Sequence, residues 1–166
     1  MSRLFLVDGH WPGRLALSDG PRGDDWLEDD LANWKREGMD VVVSLLTSKE
    51  EQNVGLKSEA VTVKKLSVDV ISLPIADLQV PRSRNALTGT LEKINAELSS
   101  GKNVLIYCRQ GIGRTGMVAA CLLVVNGWIP RAAVNHLSSV RGTPLPETPD
   151  QRNWIDHYAA SLAGTK

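Results

Sequence analysis

Between Val104 and Gly116 the chain reads Val-Leu-Ile-Tyr-Cys-Arg-Gln-Gly-Ile-Gly-Arg-Thr-Gly, and this stretch dictates what the rest can become. Val104–Tyr107 is short, apolar and uninterrupted, as strands buried on both faces of a parallel sheet are. A glycine-bearing loop follows. It closes into a long apolar helix predicted to begin near Arg114 and to contain the run Met117–Val125. Strand, tight loop and buried helix in that order belong to an α/β architecture, whose parallel strands need crossover helices. Ligands bind at the C-terminal ends of strands in such sheets, and here that end carries Cys108.

The loop's composition specifies chemistry. Successive backbone N–H groups from Arg109, Gln110, Gly111, Ile112 and Gly113 can converge on one point, and the helix N-terminus adds partial positive charge there. That field binds an oxyanion and favours thiolate over thiol at Cys108, making the sulfur a nucleophile. Arg114 supplies a planar fork that matches two oxygens of a phosphate. Gly111-x-Gly113-x-x-Gly116 also fits a dinucleotide fingerprint, but that motif needs an acidic residue about 20 positions on, and the next here is Glu147. A nucleoside-triphosphate loop needs Gly-Lys before Ser or Thr; this chain has Arg114, and such a loop has no use for Cys108.

Cys108, with Arg114 and Thr115 at this spacing, resembles the signature loop of the cysteine-dependent protein tyrosine phosphatases. The form Gly-Ile-Gly-Arg-Thr-Gly is most similar to the compact dual-specificity type, including cyclin-dependent-kinase-associated phosphatases and bacterial relatives. The resemblance implies hydrolysis of phosphate monoesters through a phosphocysteine intermediate and without metal or organic cofactor, with phosphotyrosine and phosphoserine or phosphothreonine both open as the substrate residue. It implies that an acid protonates the leaving oxygen. The segment Leu73–Pro81 offers Asp77, which follows a predicted strand, sits between Pro74 and Pro81, and lies 31 residues before Cys108. Apart from the resemblance, Asp77 reads as a helix cap or loop carboxylate. Asp69 precedes the strand and is expected at the opposite edge of the sheet.

By the same resemblance Thr115 donates its hydroxyl to the sulfur; otherwise it is a residue satisfying backbone in a first helical turn. Gln151 is similar to a family glutamine that positions the hydrolytic water, and a capping role explains it equally well. Arg141 stabilises the loop or touches substrate, or is a solvated surface charge. Arg109 is expected to point outward and steer substrate. One departure stands out: the family places His immediately before the nucleophile, and this chain has Tyr107. That substitution supports an alternative reading, a phosphate-binding pseudophosphatase that recognises without turning over. A sulfurtransferase also uses a cysteine loop, but has no need of an acid-bearing segment such as Leu73–Pro81.

The remaining pattern fits a central, mostly parallel, twisted sheet of four to five strands flanked by helices. Strands are predicted at Leu4–Val7, Leu15–Leu17, Val41–Leu46, Val70–Leu73 and Val104–Tyr107, the last three as buried parallel strands. Leu27, Leu31 and Trp34 mark one helix, closed by Gly38. Ser48-x-x-Glu51 reads as a capping box. Leu87, Leu91, Ile94 and Leu98 form an apolar stripe ended by Gly101. Thr148-Pro149-Asp150-Gln151 is a second capping box, opening a helix that buries Trp154 or Ile155, Tyr158 and Leu162.

The 166 residues fit one phosphatase domain, large enough to bury a core without staples. A formal net charge of zero argues against a nucleic-acid binder. No Asp or Glu falls between Glu97 and Glu147, while Lys102, Arg109, Arg114, Arg131 and Arg141 do. Such a stretch attracts anions, or is simply buried strand and helix where charge is scarce. The apolar start Leu4–Val7 is too short for a signal-peptide core, and Met117–Val125 is too short to span a bilayer. The two cysteines form no disulfide framework; helical rise puts Cys121 about 10 Å from Cys108, so Cys121 reads as a core residue. His10, His136 and His157 show no metal-ligand spacing. The expectation is a cytoplasmic monomer whose partner is a phosphorylated protein or peptide, with no membrane or nucleic acid involved.

Overall fold

The computed structural model describes residues 3–23, 26–53 and 66–163. Five strands form one sheet in the order β1-β2-β5-β3-β4, comprising β1 (Phe5–Val7), β2 (Leu15–Asp19), β3 (Val41–Ser44), β4 (Asp69–Ser72) and β5 (Val104–Cys108). The pairs β2–β5, β3–β5 and β3–β4 are parallel, and only β1–β2 is antiparallel. The expected mostly parallel, helix-flanked sheet is the observed one. Helices are α1 (Leu27–Arg36), α2 (Ser48–Asn53), α3 (Arg84–Ser99), α4 (Gly113–Val125), α5 (Pro130–Arg141) and α6 (Pro149–Ala163).

Period-2 alternation along β5 sorts its side chains between two cores. Val104, Ile106 and Cys108 face the larger one, with Leu87, Leu91 and Ile94 of α3 and nearly all of α4. Leu105 and Tyr107 face the smaller one beneath α1, with Leu31 and Trp34. Tyr107 is wholly buried there, its ring 5.4 Å from that of Trp34. The residue before the cysteine therefore points across the sheet from the larger core.

Two expectations need correction, and one helix lies outside them. β4 is an edge strand, parallel as expected but not buried, Val70 being 42% accessible. The cap of α2 is Thr47, not Ser48. Thr47 Oγ1 accepts the Glu50 N–H at 3.2 Å, and Glu50 Oε1 accepts the Thr47 N–H at 3.2 Å, a capping box one residue earlier than the sequence suggests. Finally, α5 was not anticipated. Its start is signalled by Pro130 at the first helical position and its end by Gly142 at φ 78°, but it buries only Ala133 and Leu137, too thin a stripe to read.

Candidate active site

β5 delivers Cys108 to the C-terminal edge of the sheet, 3% exposed, while Asp69 lies at the other end, 3.8 Å from Lys102. The loop then wraps the sulfur, and Sγ accepts the Gly111 N–H at 3.3 Å. Gly111 adopts φ 70°, and a Cβ there would fall 2.6 Å from the Ser18 carbonyl oxygen on β2. Only glycine lets the loop lie this close to the neighbouring strand. The first helical bond of α4 runs from the Gly116 N–H to the Ile112 carbonyl at 2.9 Å, so the N–H groups of Gly113, Arg114 and Thr115 stay outside the helix ladder, at its positive end.

Arg114 is 2% exposed, and its partners hold it in one plane. Nη1 donates to Glu50 Oε1 at 2.6 Å and to the Ile75 carbonyl at 2.8 Å, and Nη2 donates to Glu50 Oε2 at 2.9 Å. Burial opposes the charge on Arg114, but the Glu50 bond, the sulfur and Asp77 together raise its pKa. Burial likewise works to raise the Glu50 carboxyl, but Arg114 and Thr47 outweigh it and hold Glu50 below the usual carboxylate range. Glu50 occupies the Nη1–Nη2 edge of the guanidinium, which leaves the Nε–Nη2 edge for two oxygens of an anion. Sequence reasoning missed Glu50, because nothing local marks a partner 64 residues away.

Asp77 borders the same guanidinium, Oδ1 lying 3.4 Å from Arg114 Nη2, with 59% of its side chain exposed. Its segment continues the β3 pairing through the Ile75 N–H to the Leu45 carbonyl at 3.0 Å, then turns through a Gln79 N–H to Ala76 carbonyl bond at 3.0 Å. Gln151 ties that turn down. Its Nε2 donates to the Gln79 carbonyl at 3.1 Å, and its Oε1 accepts the N–H groups of Glu147 and Thr148 at 3.2 and 3.3 Å. Gln151 is thus buried in a cap, and the carboxylate that reaches the cleft beside it is Glu147, a residue sequence reasoning noted only as the end of the acid-free stretch.

A cleft of about 370 Å³ is lined by Asp77, Cys108, Arg109, Gln110, Arg114 and Glu147. Of the residues singled out in the sequence, Cys108, Arg114, Asp77, Arg109 and Gln110 meet there, and Gly111, Ile112 and Gly113 complete the loop. Arg109 is exposed, as expected. The Thr115 hydroxyl is buried and makes no hydrogen bond, to the sulfur or to anything else among the described residues. Arg141 is half-buried and donates to the Gln110 and Gly111 carbonyls.

Comparison with known proteins places this geometry. Over 75 residues the chain is 33% identical to cyclin-dependent kinase inhibitor 3 of Rattus norvegicus, covering 44% of this chain and 35% of that protein. The match to the human counterpart is 32% over 92 residues, 54% of this chain and 43% of that one. The chain thus spans less than half the length of these relatives. The crystal structure of a kinase associated phosphatase, with its catalytic-site cysteine changed to serine, superposes with a TM-score of 0.90 at 21% identity, covering 98% of this chain and 96% of that one. Tk-PTP in its active form superposes at 0.79 with 28% identity, over 95% and 96%. Residues 18–128 match the family described as Tc-R-P, polymorphic toxin system, DSP-PTPase phosphatase. The chain belongs to that family and is a compact dual-specificity phosphatase by descent and fold.

Proposed function

We propose that this chain hydrolyses phosphate monoesters in two steps through a phosphocysteine, without a metal. The observation that carries the reading is the meeting, in one cleft, of the Cys108 sulfur beneath the Gly111 N–H, the buried Arg114 guanidinium and the Asp77 carboxyl group. In the first step the Cys108 thiolate attacks phosphorus and forms an S–P bond as the ester P–O bond breaks. Asp77, protonated, gives its proton to the departing oxygen. The loop N–H groups and the Nε–Nη2 edge of Arg114 hold the phosphoryl oxygens as their charge redistributes. In the second step Asp77, now a carboxylate, takes a proton from water as that water attacks phosphorus. The S–P bond breaks, phosphate leaves and the thiolate returns. The Thr115 hydroxyl, buried without another partner, is the donor suited to that departing sulfur.

The substrate class is a phosphorylated protein or peptide, carrying phosphotyrosine or phosphoserine/threonine. The names of the relatives, a cyclin-dependent kinase inhibitor and a kinase associated phosphatase, support it. Residues 1–166 act as one domain, a cytoplasmic monomer with no nucleic-acid or membrane partner; among the described residues no helix is long and apolar enough to cross a membrane.

Hydrolysis of para-nitrophenyl phosphate tests the reading. Turnover should persist in EDTA, stop with vanadate, vanish in Cys108→Ser, and fall by roughly 10²–10⁴ in Asp77→Ala. Turnover surviving in Cys108→Ser would sink it. Vanadate binding without any turnover would identify a recognition module instead.

A further inference from the structure

The outer face of the loop is as organised as the inner one. Three consecutive carbonyls are tethered from outside: that of Arg109 by the Gly20 N–H at 3.3 Å, that of Gln110 by Arg141 Nη2 at 3.0 Å, and that of Gly111 by Arg141 Nε at 3.3 Å. A trans peptide is planar, with its C=O and N–H pointing opposite ways. Fixing those oxygens outward therefore turns the N–H groups of Gln110, Gly111 and Ile112 inward. The Gly111 N–H shows the result, directed at Sγ at 3.3 Å. Arg141 is itself braced. Its guanidinium carbon sits 4.2 Å over the Phe5 ring, a cation–π contact that joins the end of α5 to the edge strand β1. Arg141 does not line the cleft.

We propose that Arg141, braced by Phe5, is a positioning residue for the phosphate cradle: by gripping the Gln110 and Gly111 carbonyls it aims the Gly111 and Ile112 N–H groups and so sets how readily Cys108 becomes thiolate. A cation on the far oxygen also polarises each peptide, so its N–H is a better donor to an anion. Arg141 thus acts on the sulfur through two peptide planes, without touching substrate. The effect matters in a chain whose residue before the cysteine is Tyr107, turned toward Trp34. The inference rests on the reading of Cys108 as nucleophile.

Other charged groups line the cleft: Arg114 from α4, Asp77 from the segment after β4, Arg109 in the loop and Glu147 before α6; Asp19 is the register partner of Cys108 on β2. All are kept in the variants, so differences report Arg141 alone. The measurement is the pH dependence of Cys108 alkylation by neutral iodoacetamide, followed by mass spectrometry, beside kcat/KM for para-nitrophenyl phosphate. Arg141→Met should move the alkylation midpoint up by about one pH unit, a tenfold loss of thiolate at a fixed pH below it. The activity loss should match in acid and shrink as pH rises. Arg141→Lys keeps the charge but not the two-pronged grip, and should shift the midpoint less. Phe5→Leu should shift it in the same direction.

A folded Arg141→Met with the wild-type midpoint overturns the proposal, whatever its activity. If that variant fails to fold, Arg141→Lys and Phe5→Leu decide, and wild-type midpoints in both overturn it. A wild-type chain with a low alkylation midpoint but no turnover would instead defeat the phosphatase reading and leave the role of Arg141 intact.

Discussion

Glu50 and Arg114 are a pair in which each residue needs the other. Arg114 is nearly sealed from solvent, and its charge is tolerated largely because two oxygens of Glu50 and the Ile75 carbonyl accept its hydrogen bonds. Glu50→Ala should cost about 3–5 kcal/mol, the range for stranding one member of a buried pair, read as a lower urea midpoint. Glu50→Gln keeps the shape and loses the charge; with the fork less firmly held, kcat/KM should drop by roughly 10²-fold. The pH dependence has a definite sign. Because the folded structure holds the Glu50 carboxyl below its ordinary value, its contribution is complete above the ordinary carboxylate pKa of about 4.3 and is lost as pH falls through the lower folded value. Wild type should therefore lose stability more steeply than Glu50→Gln in that acid window, and equal slopes would refute the argument.

The loop between β5 and α4 can be tested as an element. Gly111→Ala places a methyl group against the β2 backbone in a left-handed conformation. Backbone cannot yield as a side chain tip does, so the loop must move, the Gly111 N–H must leave the sulfur, and turnover should fall by about 10²-fold. Far-UV circular dichroism should stay that of the wild type; retained activity would show that the loop tolerates the displacement. Elements were legible where burial is one-sided and thick. β5 and α3 could be read because their apolar positions repeat without interruption, whereas α5 buries only Ala133 and Leu137. The cap of α2 slipped by one residue because Thr47-Ser48 and Glu50-Glu51 offer two equivalent boxes. The observed register turns Glu50 toward Arg114.

At the scale of the whole molecule, Cys108 and Arg114 were recognisable because chemistry concentrates them in one short motif, whereas Asp77, 31 residues before the cysteine, was recognisable only through the family resemblance. Glu50 and Glu147 were not, since they lie on separate elements that only the strand order β1-β2-β5-β3-β4 brings to one edge, and Arg141 was a candidate whose partners only the fold supplies. The same order explains Tyr107: position 107 belongs to the face covered by α1, so its neighbours are Leu31 and Trp34.

Cys121 is enclosed in the middle of α4, and burial pushes its thiol far up. It is the only other cysteine in the chain. A Cys108 sulfenic acid formed by peroxide thus has no internal sulfur to trap it as a disulfide, and disulfide rescue comes from thiols in solution. Glutathione present during peroxide exposure should preserve recoverable activity. Added only after prolonged exposure it should restore little, with the Cys108 peptide heavier by two oxygens; full late recovery would reveal a protective route of another kind.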